Sequence, residues 1–169
     1  VLLPDVLVLD KPSRPRNYSF VRLVEAWEAS GVGQVMVERV GMDAVESYGI
    51  ADIASSDLEP FSSVELRALV EKPSSEDAPS NLAVLGRYIL PAKVLDLLAE
   101  TSAGVGGEIQ LTDALDALIK TGRLNAFETD AAIFDCGNQQ GFLGANLAVG
   151  MRNAESRAYL ASLLKSLGI

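Results

Sequence analysis

The chain has 169 residues, 49% of them hydrophobic, which is enough to enclose one sizeable core and predicts a single domain over 1–169. Its 14 basic residues against 23 acidic ones leave a net charge of −9, which excludes a nucleic-acid backbone or an anionic membrane as the main partner. Histidine is absent, which removes His-based triads and imidazole metal sites, and no apolar run approaches the roughly 18 residues of a membrane span. The single cysteine, Cys136, cannot pair within the chain and fits a reducing, cytoplasmic setting.

Val1-Leu2-Leu3-Pro4-Asp5 opens without a methionine or a basic leader and inside a strand-like run, so the sequence is expected to begin partway through a larger protein. Val1–Leu3 and Leu7–Leu9 read as strand, with Asp5 between them either turned out at the end of the first or helping a turn. Lys11–Arg16 is a polar loop with two prolines. Asn17 reads as the N-cap of a helix carrying Phe20, Leu23, Val24 and Trp27, with Trp27 expected in the core and Gly31 as the stop. Val35–Val40 alternates as a strand. Tyr48–Ile53 and Val64–Lys72 read as an antiparallel pair, and Gly49 marks either a bulge or a close approach to the backbone, the bulge being favoured.

The second strand of that pair ends in Leu69-Val70-Glu71-Lys72-Pro73. Pro73 cannot continue a ladder and is expected to push Lys72 towards an extended conformation. The strand thus presents a carboxylate and an ammonium at its carboxyl edge, where ligands sit in open α/β sheets. Carboxylates accept from sugar hydroxyls, and a lysine tip suits a phosphate.

Ser74–Ser80 is a polar loop, and Leu82–Leu90 a strand interrupted by Gly86 and Arg87. Pro91 opens a helix with Val94, Leu95, Leu97 and Leu98. Ser102–Gly107 holds three glycines but no following Lys-Ser/Thr, so it is not a P-loop. Ile109, Leu111, Ala114, Leu115, Leu118 and Ile119 form a helix ending at Gly122. Leu124–Glu128 and Ala131–Phe134 are short strands, the latter running into Asp135-Cys136-Gly137, and a helix follows to about Asn153. Residues 154–169 form a last helix whose stripe of Tyr159, Leu160, Leu163, Leu164 and Leu167 is expected to dock on the body or on another subunit.

Asp5 and Asp135 each follow an apolar strand, far apart in sequence. Two such carboxylates at one sheet edge, without His or Cys, suit Mg²⁺, which keeps most of its waters and accepts one or two carboxylates plus substrate phosphates. Lys72 could neutralise a phosphate nearby.

Seven motifs occur in order. They are Leu2-Leu3-Pro4-Asp5-Val6, Tyr48-Gly49, Val70-Glu71-Lys72-Pro73, Ala78-Pro79-Ser80-Asn81-Leu82-Ala83, Gly86-Arg87-Tyr88, the run from Gly107 to Ala114, and Asp135-Cys136-Gly137-Asn138. Together they closely resemble the bacterial UTP–glucose-1-phosphate uridylyltransferases, over Leu2 to about Asn153. Glu-Lys-Pro alone is common; seven motifs at compatible spacing are specific.

The resemblance implies a Rossmann-like mixed β-sheet flanked by helices. It implies formation of UDP-glucose and pyrophosphate from UTP and glucose 1-phosphate with Mg²⁺. It assigns Asp5 and Asp135 to the metal, Lys72 to the sugar phosphate, and Glu71 and the Gly49 backbone to glucose hydroxyls. Asn81, Glu108 and Gln110 fall on the sugar side. Together with the apolar tail it suggests a homodimer or homotetramer. The family's glycine-rich loop and uracil-reading residues lie upstream of the strand that opens this sequence, so the chain is expected to lack the nucleotide clamp and to be inactive alone. The rivals are a sister enzyme using dTTP or another sugar phosphate, a non-catalytic UDP-sugar sensor, and a purely structural partner domain.

Overall fold

The computed structural model describes residues 1–55, 57–101, 109 and 111–168. Its strands and α-helices, in chain order, are β1 Val6–Leu9, α1 Tyr18–Ser30, β2 Gly33–Arg39, β3 Gly49–Ile53, β4 Ser63–Glu71, β5 Leu82–Ile89, α2 Lys93–Glu100, α3 Leu111–Ile119, β6 Leu124–Glu128, β7 Ala132–Asp135, α4 Gln139–Gly150 and α5 Ala154–Ser166. They fall into two compact units, Val1–Leu3 with Tyr18–Asp130, and Pro4–Asn17 with Ala131–Ile169.

In the first unit five strands form a closed ring in the order β2-β5-β3-β4-β6. The β2–β6 pair is parallel and the others are antiparallel, so the sheet is mixed, as expected. Val35, Met36 and Val37 are all buried, because β2 is covered on both faces. Against this ring the helical stripe Ala114, Leu115, Leu118 and Ile119 of α3, with Val94 of α2, packs onto Val35, Val37, Leu66, Leu82 and Leu124. Gly31 and Gly122 end their helices at φ 67 and φ 65, a left-handed conformation that costs glycine little. Ser19, Gln34, Glu128 and Thr129, the buried polar residues described in this unit, are hydrogen-bonded. Gln34 Nε2 donates to the Val32 carbonyl at 2.8 Å, its Oε1 accepts from Ser63 at 2.7 Å, and the Ser19 and Thr129 hydroxyls bond at 2.8 Å. Arg39 forks onto Glu128 at 3.0 and 3.2 Å, tying the end of β2 to β6.

Three local expectations are corrected. Trp27 is 39% exposed rather than core, because burial along α1 ends at Ala26. Asn17 precedes α1 in the left-handed region, at φ 59, not in the extended conformation usual for an N-cap. Ile109 lies before α3 and is exposed.

The second unit is a two-stranded antiparallel ribbon, β1 with β7, carrying α4 and α5. Gly144 brings α4 onto the Phe134 ring, and Ala145 is buried. Arg152 donates to the Asp10 carbonyl. Of the apolar stripe on α5, Leu160 approaches Gly150 of α4, whereas Tyr159, Leu163, Leu164 and Leu167 remain exposed. Among the described residues no helix is long and apolar enough to cross a membrane.

Candidate active site

In the second unit the ribbon register sets Val6 opposite Asp135. Asp5 stands in the Pro4-Asp5 turn just before β1, the second of the two readings open for it, and Asp135 is the last residue of β7. The Cys136 N–H donates to the Asp5 carbonyl at 2.6 Å, which carries the pairing one step past the strand end. The two aspartates, from opposite ends of the chain, therefore reach the same edge. Gly137 shows how close they come: a Cβ there would lie 3.0 Å from Asp135 Oδ1 and 3.5 Å from Asp5 Oδ2. Its missing side chain leaves a cradle open between the two carboxylates.

Both Asp135 oxygens are held from below. Oδ1 accepts the Gly137 N–H at 2.9 Å and Oδ2 accepts Asn138 Nδ2 at 2.9 Å. Each oxygen keeps a lone pair for a further ligand. Among the described residues no cluster of three His, Cys, Asp or Glu ligands occurs. A two-carboxylate, all-oxygen cradle fits a hard divalent cation that completes its shell with water and phosphate oxygens, and it does not fit a zinc-type site.

In the first unit Gly49 pairs with Glu71 in unbroken register, and the bulge in this strand pair falls between Asp52 and Ile53. Gly49 is thus a place of close approach, not a bulge: a Cβ there would come within 3.2 Å of Glu71 Oε2. Lys72 donates its N–H to the Tyr48 carbonyl at 3.0 Å and then turns out of the strand at φ 47, so the extended conformation expected before Pro73 is not adopted. Alternation would send neighbouring side chains to opposite faces. The turn at Lys72 breaks it and brings Nζ within 3.9 Å of Glu71 Oε1, with both side chains more than half exposed. A left-handed conformation at a non-glycine residue costs on the order of 1 kcal/mol and tends to mark sites of function. Burial, and then the charge of Glu71, push the Tyr88 phenol up.

Asn81 faces a structural duty. Its Nδ2 donates to the Val40 carbonyl at 3.0 Å while the Val40 N–H bonds its own carbonyl, so it locks the β2–β5 end. Glu108 and Gln110 lie outside the described residues. Sequence reasoning gave no role to Gly137 or Asn138. The available signal was an Asx residue just before an apolar helix, directly after a candidate ligand.

The nucleotidyl transferase family profile matches residues 6–151. Over 99% of this chain, the sequence is 40% identical to the UTP–glucose-1-phosphate uridylyltransferase of Haemophilus influenzae, covering 57% of that protein. A solved structure described as UTP-bound UGPase from Acinetobacter baumannii superposes with a TM-score of 0.85 at 38% identity, over 98% of this chain and 55% of that one. A UDP-glucose pyrophosphorylase complexed with UDP-glucose gives 0.78 at 33%, over 90% of this chain and 55% of that one. The chain spans about half the length of the curated relatives it matches.

Proposed function

This chain belongs to the nucleotidyl transferase family, and we propose that it carries the sugar-phosphate and metal part of an enzyme that makes UDP-glucose and pyrophosphate from UTP and glucose 1-phosphate. One observation carries the chemistry: β1 and β7 bring Asp5 and Asp135 to either side of the cradle at Gly137. The substrates are supported by the relatives, which are named for UTP and glucose 1-phosphate or were solved with UTP or UDP-glucose.

In this reading a phosphate oxygen of glucose 1-phosphate attacks the α-phosphorus of UTP in line. A new P–O bond forms as the bond to the β-phosphate breaks, and pyrophosphate leaves. The attacking phosphate is already ionised at neutral pH, so no general base is required and the absence of histidine is no obstacle. Catalysis is then positioning and charge neutralisation. Lys72 holds the sugar phosphate as a point charge, and Glu71 and the Gly49 backbone hold glucose hydroxyls. Asn81, whose Nδ2 is already bonded to the Val40 carbonyl, Glu108 and Gln110 fall in the motifs that the resemblance assigns to the sugar side. Asp5 and Asp135 hold the divalent metal that enzymes of this kind generally use, and their oxygen-only set favours Mg²⁺. Bound there, the cation supplies neutralisation of phosphate charge.

The same reading treats 1–169 as one nucleotidyltransferase domain, acting in the cytoplasm, with the exposed face of α5 joining subunits of a dimer or tetramer. Sedimentation velocity checks the last point. The activity is tested by pyrophosphate release from UTP, glucose 1-phosphate and Mg²⁺, with dTTP as the comparison, together with a titration of this chain with UDP-glucose. Release that prefers UTP, or saturable UDP-glucose binding, is the expected result. Neither release nor binding from folded protein would overturn the reading.

A further inference from the structure

The residues behind Asp135 are built more tightly than a strand-to-helix turn requires. Asn138 uses both ends of its amide. Its Oδ1 accepts the Gly141 N–H at 2.8 Å and caps α4, while its Nδ2 donates to Asp135 Oδ2 at 2.9 Å. The amide can be placed only this way round, because the flipped form would set its oxygen against the carboxylate and its NH₂ against an N–H. The amide is planar and rigid, so anchoring one end to the helix aims the other at the carboxylate. The anchor itself depends on Gly141, where a Cβ would lie 1.8 Å from the Asp135 carbonyl oxygen. Real Cβ atoms never come that close, so any other residue there must drive α4 off the strand end.

We propose that Asn138 is a positioning residue that aims the Asp135 carboxylate at a divalent cation, and that Gly141 is what lets the helix come near enough for it to do so. This rests on the reading of Asp135 as a metal ligand. The partner of a metal-binding carboxylate restricts its rotation and leaves one lone pair directed at the ion, and losing such a partner typically weakens metal binding tenfold or more. A cap alone would need only the Oδ1 end; the Nδ2 end has no capping duty.

The test is Mn²⁺ binding to this chain, followed by electron paramagnetic resonance, with melting temperature read alongside. Asn138→Ser keeps a good N-cap but is too short to cap and reach Oδ2 together. It should weaken Mn²⁺ binding about tenfold with the melting temperature nearly unchanged. Gly141→Ala should weaken binding at least as much. Gly144→Ala, on the same helix but meeting only the Phe134 ring at 3.3 Å, should leave binding intact. Parent-like binding by Asn138→Ser, with binding abolished in Asp135→Asn, overturns the positioning role and leaves the metal reading standing. Binding retained in Asp135→Asn, or absent from the parent chain, overturns both. Equal losses of binding and melting temperature in Asn138→Ser and Gly144→Ala would reduce Asn138 to a cap and overturn the proposal as well.

Discussion

Gly49 stands directly opposite Glu71 across β3 and β4, and a Cβ at Gly49 would sit 3.2 Å from the Glu71 carboxylate. That is tight enough to displace the side chain by a few tenths of an ångström. Gly49→Ala in the active enzyme should therefore raise KM for glucose 1-phosphate about tenfold, the size of one weakened hydrogen bond to a charged group, and leave KM for UTP unchanged. Steady-state kinetics with each substrate varied in turn checks this. An unchanged KM for glucose 1-phosphate would remove Glu71 from the sugar site.

Lys72 separates backbone strain from charge. Lys72→Gly relieves the left-handed conformation at φ 47 and should leave the melting temperature unchanged or slightly raised. The same change removes the ammonium, so kcat/KM for glucose 1-phosphate should fall by about two orders of magnitude. Lys72→Ala should show the kinetic loss without the stabilisation. If both variants kept parental kcat/KM, the role given to Lys72 would be wrong.

Asp135→Asn keeps size and can still accept hydrogen bonds, but it loses the charge that a hard cation requires. Metal-dependent pyrophosphate release should fall at least about a hundredfold. Near-normal kcat would take Asp135 out of the metal site.

Glu38 titrates at about 7, raised from 4.5 by burial. A carboxyl with a raised folded pKa favours the fold while protonated and loses that contribution as pH climbs. Between about pH 4.5 and 7 this group should make stability fall with rising pH, and above that its effect should be flat. Glu38→Gln should abolish that part of the slope and raise the melting temperature at pH 8 relative to the parent. Melting curves across the pH series decide it, and parallel curves would contradict the assignment.

Phe127 is fully buried and meets the Phe61 ring edge-on at 6.3 Å, which in turn meets Tyr18 at 5.2 Å. Phe127→Ala should cost about 3–5 kcal/mol in urea unfolding, from lost transfer free energy and the cavity left behind. Leucine at that position should cost markedly less.

Local patterning was enough for most elements. The stripe of α3 and the glycine stops of α1 and α3 depend on helical periodicity and on left-handed φ, both properties of short stretches. The antiparallel pairing of β3 with β4 follows from two alternating runs and a short polar connection. Trp27 was misplaced because burial is a property of what lies against a helix face, and periodicity shows only which residues share that face.

The sequence by itself determined the residue types of the candidate site: two aspartates without histidine, a carboxylate beside a lysine, and a glycine at the start of β3. Only the tertiary structure decided how they are placed. Convergence of Asp5 and Asp135 is a fact of strand register between opposite ends of the chain, and the nearness of Lys72 to Glu71 arises from a backbone turn that defeats alternation. The clamp at Asn138 depends on a helix end packed closer than any side chain at Gly141 would permit. Chemistry resides in side chains and can be read one residue at a time; aim is set by long-range pairing and close packing, which no single stretch contains.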